Sequence, residues 1–320
     1  MSEGQPRAPK ATFPGWHDGR MRILVAGATG VLGSRVVARL LEADHDVYGT
    51  SRSARRAEGL GGGAVGLVMD ALDPQSVERA VDKAQPDAII HELTDLAQAD
   101  FGTNARLRVD GTRNLVDVAR RRGVARMVAQ SISWAYRPSP GPASEDEPFA
   151  QDPATGESLF PSIEALEHSV RSLPDGVVLR YGLLYGPGTW YAPDGDQAEA
   201  LRAGRFVATT AWTSFVHVDD AADATLAALG WPAGAYNVVD DEPTHVSEWG
   251  PLLAAAAGRP GLEVEARAEG RAASNLAGPG ARLDTSPRDL ETVPPRAADG
   301  EAVNSVTRRS VTVGDRPAPP

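Results

Sequence analysis

Met21-Arg22-Ile23-Leu24-Val25-Ala26 runs directly into Gly27-Ala28-Thr29-Gly30-Val31-Leu32-Gly33-Ser34, an apolar strand followed by a G-x-x-G-x-x-G turn. Small residues are needed there for three separate reasons. Gly27 permits a tight turn off the strand, Gly30 lets backbone approach a pyrophosphate, and Gly33 lets a helix pack closely on a sheet. The next segment is helical: Gly33–Glu42 puts Val36, Val37, Leu40 and Leu41 on one face. Free N–H groups and partial positive charge at its start suit an anion. The spacing differs from G-x-G-x-x-G, so the placement between strand and helix carries the reading. Gly27, Thr29, Gly30, Val31, Leu32 and Gly33 are thus candidate cofactor-binding residues.

Outward from this turn the pattern repeats. Apolar runs at Asp46–Ser51, Ala64–Met69, Asp87–His91, Met127–Ser131, Val177–Leu184 and Tyr236–Val239 alternate with stretches of helical period. Thr112–Arg122 groups Leu115, Val116, Val118 and Ala119, and ends on three arginines that suit a helix C-terminus. The alternation predicts a parallel sheet covered by helices on both faces. The end of the second strand selects the nucleotide. It reads Thr50-Ser51-Arg52-Ser53, with Arg55 and Arg56 following and no acidic residue. An arginine there accommodates a 2′-phosphate, so NADP(H) is expected ahead of NAD, with Ser51 and Arg52 as its contacts.

Composition excludes several chemistries. There is no cysteine, hence no disulfide, thiolate metal site or cysteine nucleophile. The six histidines are dispersed without an H-x-x-x-H pair, and no G-x-S-x-G elbow is present, so neither a metal centre nor serine hydrolysis is expected. The net charge is −11, which disfavours nucleic acid and anionic membranes as partners. No apolar run reaches the roughly 20 residues of a membrane helix, and residues 1–20 lack the apolar core of a secretory signal. A cytoplasmic location, a small-molecule substrate and, at most, a second copy of the chain as partner are the expectations. Of the 32 basic residues only Lys10 and Lys83 are lysine.

Several phrases together give a resemblance. Asp70-Ala71-Leu72-Asp73, Ile89-Ile90-His91-Glu92-Leu93-Thr94, Gly111-Thr112-Arg113-Asn114-Leu115, Leu179 through Gly188 and Ser214-Phe215-Val216-His217-Val218-Asp219-Asp220 follow one another in order. From about Met21 to Gly258 the chain resembles the extended short-chain dehydrogenase/reductase superfamily, in its NAD-dependent epimerase/dehydratase branch. More narrowly it is similar to a group of actinobacterial-type oxidoreductases, through His91–Leu96, Gln130–Tyr136 and Tyr185–Tyr191. The resemblance implies a Rossmann-type doubly wound α/β fold with a small C-terminal substrate lobe. It also implies that Asp70 and Ala71 lie at the adenine, and that Leu93, Thr94 and Tyr181 lie along the cofactor.

The superfamily's acid/base pair is Tyr-x-x-x-Lys, behind a Ser or Thr. None of the six tyrosines has a lysine four residues on, and Glu167 places Leu159 and Ile163 at the two positions. Arg108 stands where the superfamily's helix usually carries Asn. Aligned through Tyr136, the serine position falls on Ile132, between Ser131 and Ser133, which alternation in an extended segment would put on one side. Ser131, Ser133 and Tyr136 are the catalytic candidates. Glu92, Trp190, Tyr191 and His217 are candidates for the substrate, and a desolvated Glu92 could serve as a base. Trp134 and Trp212 could add to an aromatic pocket or belong to the core.

The boundaries expected are a flexible tail at 1–20, an NAD(P)-binding domain at 21–190, a substrate lobe with a returning strand at 191–257, and a poorly ordered tail at 258–320. That last segment has nine arginines, nine acidic residues and no aromatic ring, too little apolar surface to offset chain entropy. Related chains continue past an A-S-N element with a basic helix. Here Ala273-Ser274-Asn275 is present and the pattern then departs, as after a frame change, which would leave the lobe truncated. The function expected is an atypical NADP(H)-dependent oxidoreductase, epimerase or dehydratase acting on a hydroxyl or carbonyl. The alternatives are a non-redox lyase, isomerase or cyclase of secondary metabolism, and a cofactor-binding regulatory or degenerate protein.

Overall fold

A computed structural model describes residues 19–95, 101–137, 139, 141–150, 159–259, 261–262, 264–265 and 273–274. The N-terminal tail, Leu96 and most of the C-terminal tail lie outside them.

In chain order the elements are β1 (Arg22–Ala26), α1 (Val31–Glu42), β2 (Asp46–Ser51), α2 (Ala54–Glu58), β3 (Val65–Val68), α3 (Pro74–Ala84), β4 (Ala88–His91) and α4 (Phe101–Arg106). A π-turn (Leu107–Gly111) leads without a break into α5 (Thr112–Arg122), then β5 (Arg126–Ile132). There follow α6 (Leu159–Arg171), β6 (Asp175–Tyr181), β7 (Leu183–Tyr185), α7 (Asp196–Arg202), β8 (Ala208–Thr209), β9 (Trp212–Thr213) and β10 (Phe215–His217). The rest are α8 (Val218–Ala227), β11 (Gly234–Val238), β12 (Thr244–His245), α9 (Val246–Ala256) and β13 (Val264–Glu265).

The main sheet has seven strands in the order β11-β6-β5-β4-β1-β2-β3, and the pairs β4-β1, β1-β2, β2-β3 and β4-β5 are parallel. Its middle strands are buried along almost their whole length, which is why Ile23–Ala26 and Ala88–Ile90 read as continuous apolar runs. Helices hold their places by ordinary local chemistry. Asp73 accepts the N–H of Gln75 to cap α3, with Pro74 at its first position, and Gly123 closes α5 in the left-handed region. The doubly wound α/β reading of the sequence is what the structure has.

The chain divides into two compact units. The first comprises Met1–Ala129, Ala165–Val177 and Thr225–Gly234; the second comprises Gln130–Glu164, Val178–Ala224 and Ala235–Pro320. The run expected as one strand from Val177 to Leu184 is two. Gly182 interrupts it, donating its N–H to the Val238 carbonyl, and a Cβ there would lie 2.7 Å from the backbone of Ser214 and Phe215. In the second unit an apolar cluster joins Tyr136, Phe149, Leu159, Phe160, Ile163, Val239 and Ala273. Asn237 ties the polar groups beside it. Its carboxamide oxygen accepts the Tyr136 hydroxyl, its Nδ2 donates to the carbonyls of Ala143 and Ser274, and its backbone N–H donates to Glu145. Within 258–320 two pieces are described away from its start: Val264–Glu265 pairs with β8, and Ala273–Ser274 docks on Ser214 and Ala143.

Candidate active site

In the first unit the turn after β1 is built as its glycines require. Gly27 has φ +92°, and a Cβ on it would stand 2.6 Å from the Glu92 carbonyl oxygen. A Cβ on Gly33 would be 2.2 Å from the Gly27 carbonyl oxygen, so both positions exclude any side chain. The first turn of α1 has Gly30 as N-cap, no side-chain cap and no acidic residue. Its N–H groups are therefore open to an anion. Val31 is exposed, Leu32 and Gly33 are buried, and the Thr29 hydroxyl donates to Ser51 Oγ at 3.3 Å, linking the turn to the end of β2. A backbone cradle with no room for side chains, donors free and no competing carboxylate, fits a dinucleotide pyrophosphate.

Around this turn lie the other expected cofactor residues of the unit. Asp70 accepts the Leu72 N–H, and the Ala71 carbonyl accepts from Asn114 Nδ2, so the loop after β3 is pinned from two sides. Arg52 forms an ion pair with Asp95 at 3.0 Å while 68% exposed, so its charge has a protein partner that a phosphate would share or displace. Leu93 is half-buried and Thr94 exposed, just past β4.

At the end of β4, His91 is wholly buried. Its Nδ1 accepts the Leu93 N–H at 3.2 Å, which leaves the proton on Nε2 to donate to Thr112 Oγ1 at 2.8 Å. Burial pulls its pKa down to about 4, so it is a neutral positioning group at ordinary pH. Glu92 is 5% exposed, and both carboxyl oxygens lack a hydrogen-bond partner among the described residues. Burial raises its pKa well above the usual carboxylate range, the direction that a base or a neutral donor needs.

The second unit holds the remaining candidates. Ser131 and Ser133 do not share one extended segment, because β5 ends at Ile132 and Ser133 opens a 3₁₀ turn, Ser133–Ala135. Both are buried, and Ser133 Oγ has no partner among the described residues. The Tyr136 hydroxyl donates to Asn237 and accepts from Arg180 Nη1, each at 2.7 Å, inside the apolar cluster. Burial raises its pKa against the opposing pull of Arg180. Tyr181 is buried at the end of β6, and Trp190 is exposed. Tyr191 packs edge-on against Phe215 and Trp249, where burial pushes its hydroxyl up to about 12. Trp134 is exposed, and Trp212, also exposed, lies over His245 at 3.7 Å. His217 packs edge-on against Tyr185 at 5.1 Å and its Nδ1 accepts the Asp219 N–H.

Asp240 was missed by the sequence reading. It is buried, with its pKa raised to about 7 by burial first and by Asp220 next, against hydrogen bonds from the Tyr185 hydroxyl and the His217 backbone. The only signal for it is the acidic run Asp240-Asp241-Glu242 after an apolar strand. In the first unit a cavity of about 920 Å³ lies at the amino ends of the strands, bounded by Asp87, Arg122, Arg126, Asp175 and Trp231. It is at the opposite end of the strands from the glycine turn, and open α/β sheets bind their ligands at the carboxyl end. Among the described residues no group of His, Asp and Glu could hold a metal ion, and no helix is long and apolar enough to cross a membrane.

The comparisons with known proteins agree with this geometry. The family model described as NAD dependent epimerase/dehydratase matches residues 23–239. A Streptomyces protein named 3-diazoavenalumate denitrifying reductase is 42% identical over 255 residues, covering 75% of this chain and 83% of that one. The 2-alkyl-3-oxoalkanoate reductase of Stenotrophomonas maltophilia is 28% identical over 76% of this chain and 78% of its own. Among solved structures, the Thermus thermophilus UDP-glucose 4-epimerase in complex with NAD superposes with TM-score 0.64 at 26% identity, over 80% of this chain and 91% of that one. The glycine cradle, the parallel sheet and these relatives together place the chain in the NAD dependent epimerase/dehydratase family, as an NAD(P)-dependent enzyme of the oxidoreductase type.

Proposed function

We propose that the protein is an NADP(H)-preferring reductase that removes a diazo group from a small organic acid as dinitrogen. One observation carries the reading. The relative at 42% identity is named for denitrifying reduction of a diazo compound, and the family resemblance assigns Leu159 and Ile163 to the positions where a tyrosine and lysine would manage a proton. Bound in the glycine cradle, the nicotinamide would supply a hydride, and a diazonium carbon that gains a hydride and loses N₂ balances in atoms and charge without a proton. The reaction asks for positioning and water exclusion more than for acid/base work.

In this reading Gly27, Thr29, Gly30, Val31, Leu32 and Gly33 hold the pyrophosphate, and Asp70, Ala71, Leu93, Thr94 and Tyr181 line the rest of the cofactor. Ser51 and Arg52 take the 2′-phosphate, with Asp95 yielding part of its hold on the guanidinium. Ser131 and Ser133 fix the substrate, and Glu92, Trp190, Tyr191 and His217 are the further substrate residues proposed. Tyr136 is a positioning residue, since Asn237 and Arg180 already occupy its hydroxyl.

The test incubates the full chain with NADPH and a carboxylated benzenediazonium salt, measuring nicotinamide absorbance and N₂ together. Equal molar loss of NADPH and gain of N₂ is expected, with deuterium from the C4 position of labelled cofactor appearing at the carbon that lost nitrogen. A 3-oxo acid, which needs a proton as well as a hydride, should turn over far more slowly. NADPH oxidation without N₂, or a ketone reduced as fast as the diazonium, would sink the proposal.

A further inference from the structure

Three side chains follow one another at turn spacing along one buried stripe of α4, the π-turn and α5: Asn104, Arg108 and Thr112. The outer two are tied to the segment that leaves β4. Asn104 Oδ1 accepts the Asp95 N–H at 3.2 Å, and Thr112 Oγ1 lies 2.8 Å from His91 Nε2. Arg108 lies between them on the same stripe, one turn from each. A π-turn is an uncommon way to carry a helix forward and is frequent at functional sites.

The chemistry left over at this stripe is all donor. Asn104 is 1% exposed, its oxygen is in use, and its Nδ2 has no partner among the described residues. Arg108 is 8% exposed, and among the described residues its guanidinium has no hydrogen bond or ion pair. A guanidinium cannot shed its proton to escape burial, and an isolated buried charge is costly. Burial does lower the Arg108 pKa, and no nearby acid is recorded as opposing it. The local carboxylates are committed elsewhere: Asp95 to Arg52 at 3.0 Å and Asp110 to Arg113 at 2.6 Å. Glu92, on the facing segment, has both oxygens unpartnered, so it does not serve Arg108 either.

We propose that Asn104 and Arg108 form a receptor for the anionic oxygens of a bound ligand. A planar guanidinium one turn along the helix from a fixed amide N–H₂ suits a carboxylate or a phosphate. The carboxylate would come from the substrate and the phosphate from the dinucleotide. The inference goes beyond the proposed reduction and needs no turnover, so failure to release N₂ leaves it standing.

Binding to the full chain decides it, with benzoate, its neutral counterpart benzamide, inorganic pyrophosphate, NADH and NADPH as probes, followed by tryptophan fluorescence and thermal unfolding. Benzoate or pyrophosphate should raise the unfolding temperature of the wild type, and benzamide should not. Arg108→Gln should weaken the responding anion by about tenfold or more. Loss of benzoate with dinucleotide affinity retained assigns the site to a substrate carboxylate. Joint loss of pyrophosphate and both dinucleotides assigns it to a cofactor phosphate. Without added anion, Arg108→Met should unfold at the wild-type temperature or above, because it removes a buried charge that no described residue pairs. The proposal is overturned if Arg108→Gln binds every probe as the wild type does. It is equally overturned if Arg108→Met unfolds at a lower temperature or fails to fold, since the guanidinium would then have a structural partner.

Discussion

Arg52 shows how one residue can be legible in type and illegible in state. Its place after β2, with no acid beside it, was enough to suggest a 2′-phosphate contact. The Asp95 carboxylate 3.0 Å away could not be foreseen, because it arrives from the far side of β4. The Arg52 end of the ion pair is exposed, so a phosphate can reach and compete for the guanidinium. Arg52→Ala is expected to lower NADPH affinity by about tenfold and leave NADH within a factor of about two. Fluorescence titration with both nucleotides checks this, and an equal loss for both would remove Arg52 from the phosphate site. Gly27 is the opposite case. Strand, turn and helix around it were read from sequence because its constraint is purely steric and local, and φ +92° bears that out.

Helix α6 shows at the level of an element what a substitution would meet at the two positions to which the family resemblance assigns the acid/base pair. Leu159 and Ile163, one turn apart, point into the cluster with Tyr136, Phe149 and Val239, and Ile163 is 1% exposed. The face that carries these two residues is packed as core. Ile163→Lys buries an ammonium there without a partner and should cost several kcal/mol, whereas Ile163→Met should cost less than about 1.5 kcal/mol. Urea unfolding midpoints separate the two, and a lysine variant as stable as wild type would mean that this face is open. Other elements show where pattern reading fails. The strand expected through Leu184 is cut at Gly182 by the close approach of Ser214 and Phe215, a contact between distant segments. The expected pairing of Ser131 with Ser133 ends with β5 at Ile132, because alternation holds only while the strand does. Arg108 could be flagged in sequence as an unusual residue, but its burial without a partner among the described residues is visible only once the fold has surrounded it.

For the molecule as a whole, buried acids and a buried histidine set opposing slopes of stability with pH. Asp240 is raised from 3.8 to about 7 in the folded chain, so the native state holds a proton that the unfolded state has lost between those values. Its contribution is present at low pH and is lost as pH rises through about 7. His91 runs the other way. Lowered from 6.5 to about 4, it favours the native state above 6.5 and loses that contribution as pH falls through about 4. Glu92, raised by burial, has the same sign as Asp240. Asp240→Asn should therefore tilt the unfolding free energy upward with pH between about 4 and about 7, by at most about 1.4 kcal/mol per pH unit. Urea unfolding across that range measures it, and an unchanged slope would show that Asp240 is ionised in the native state.

The tie around Asn237 has a consequence for how the chain is made. Tyr136, Ala143 and Glu145 leave the ribosome first, Arg180 follows, and Asn237 comes well after them. The last partner, the Ser274 carbonyl, comes later still. Until that residue has emerged, the Asn237 amide and the groups around it lack one acceptor in a buried setting, and the second unit cannot close on its polar centre. Emergence of Ser274 is thus the point at which this knot can be completed.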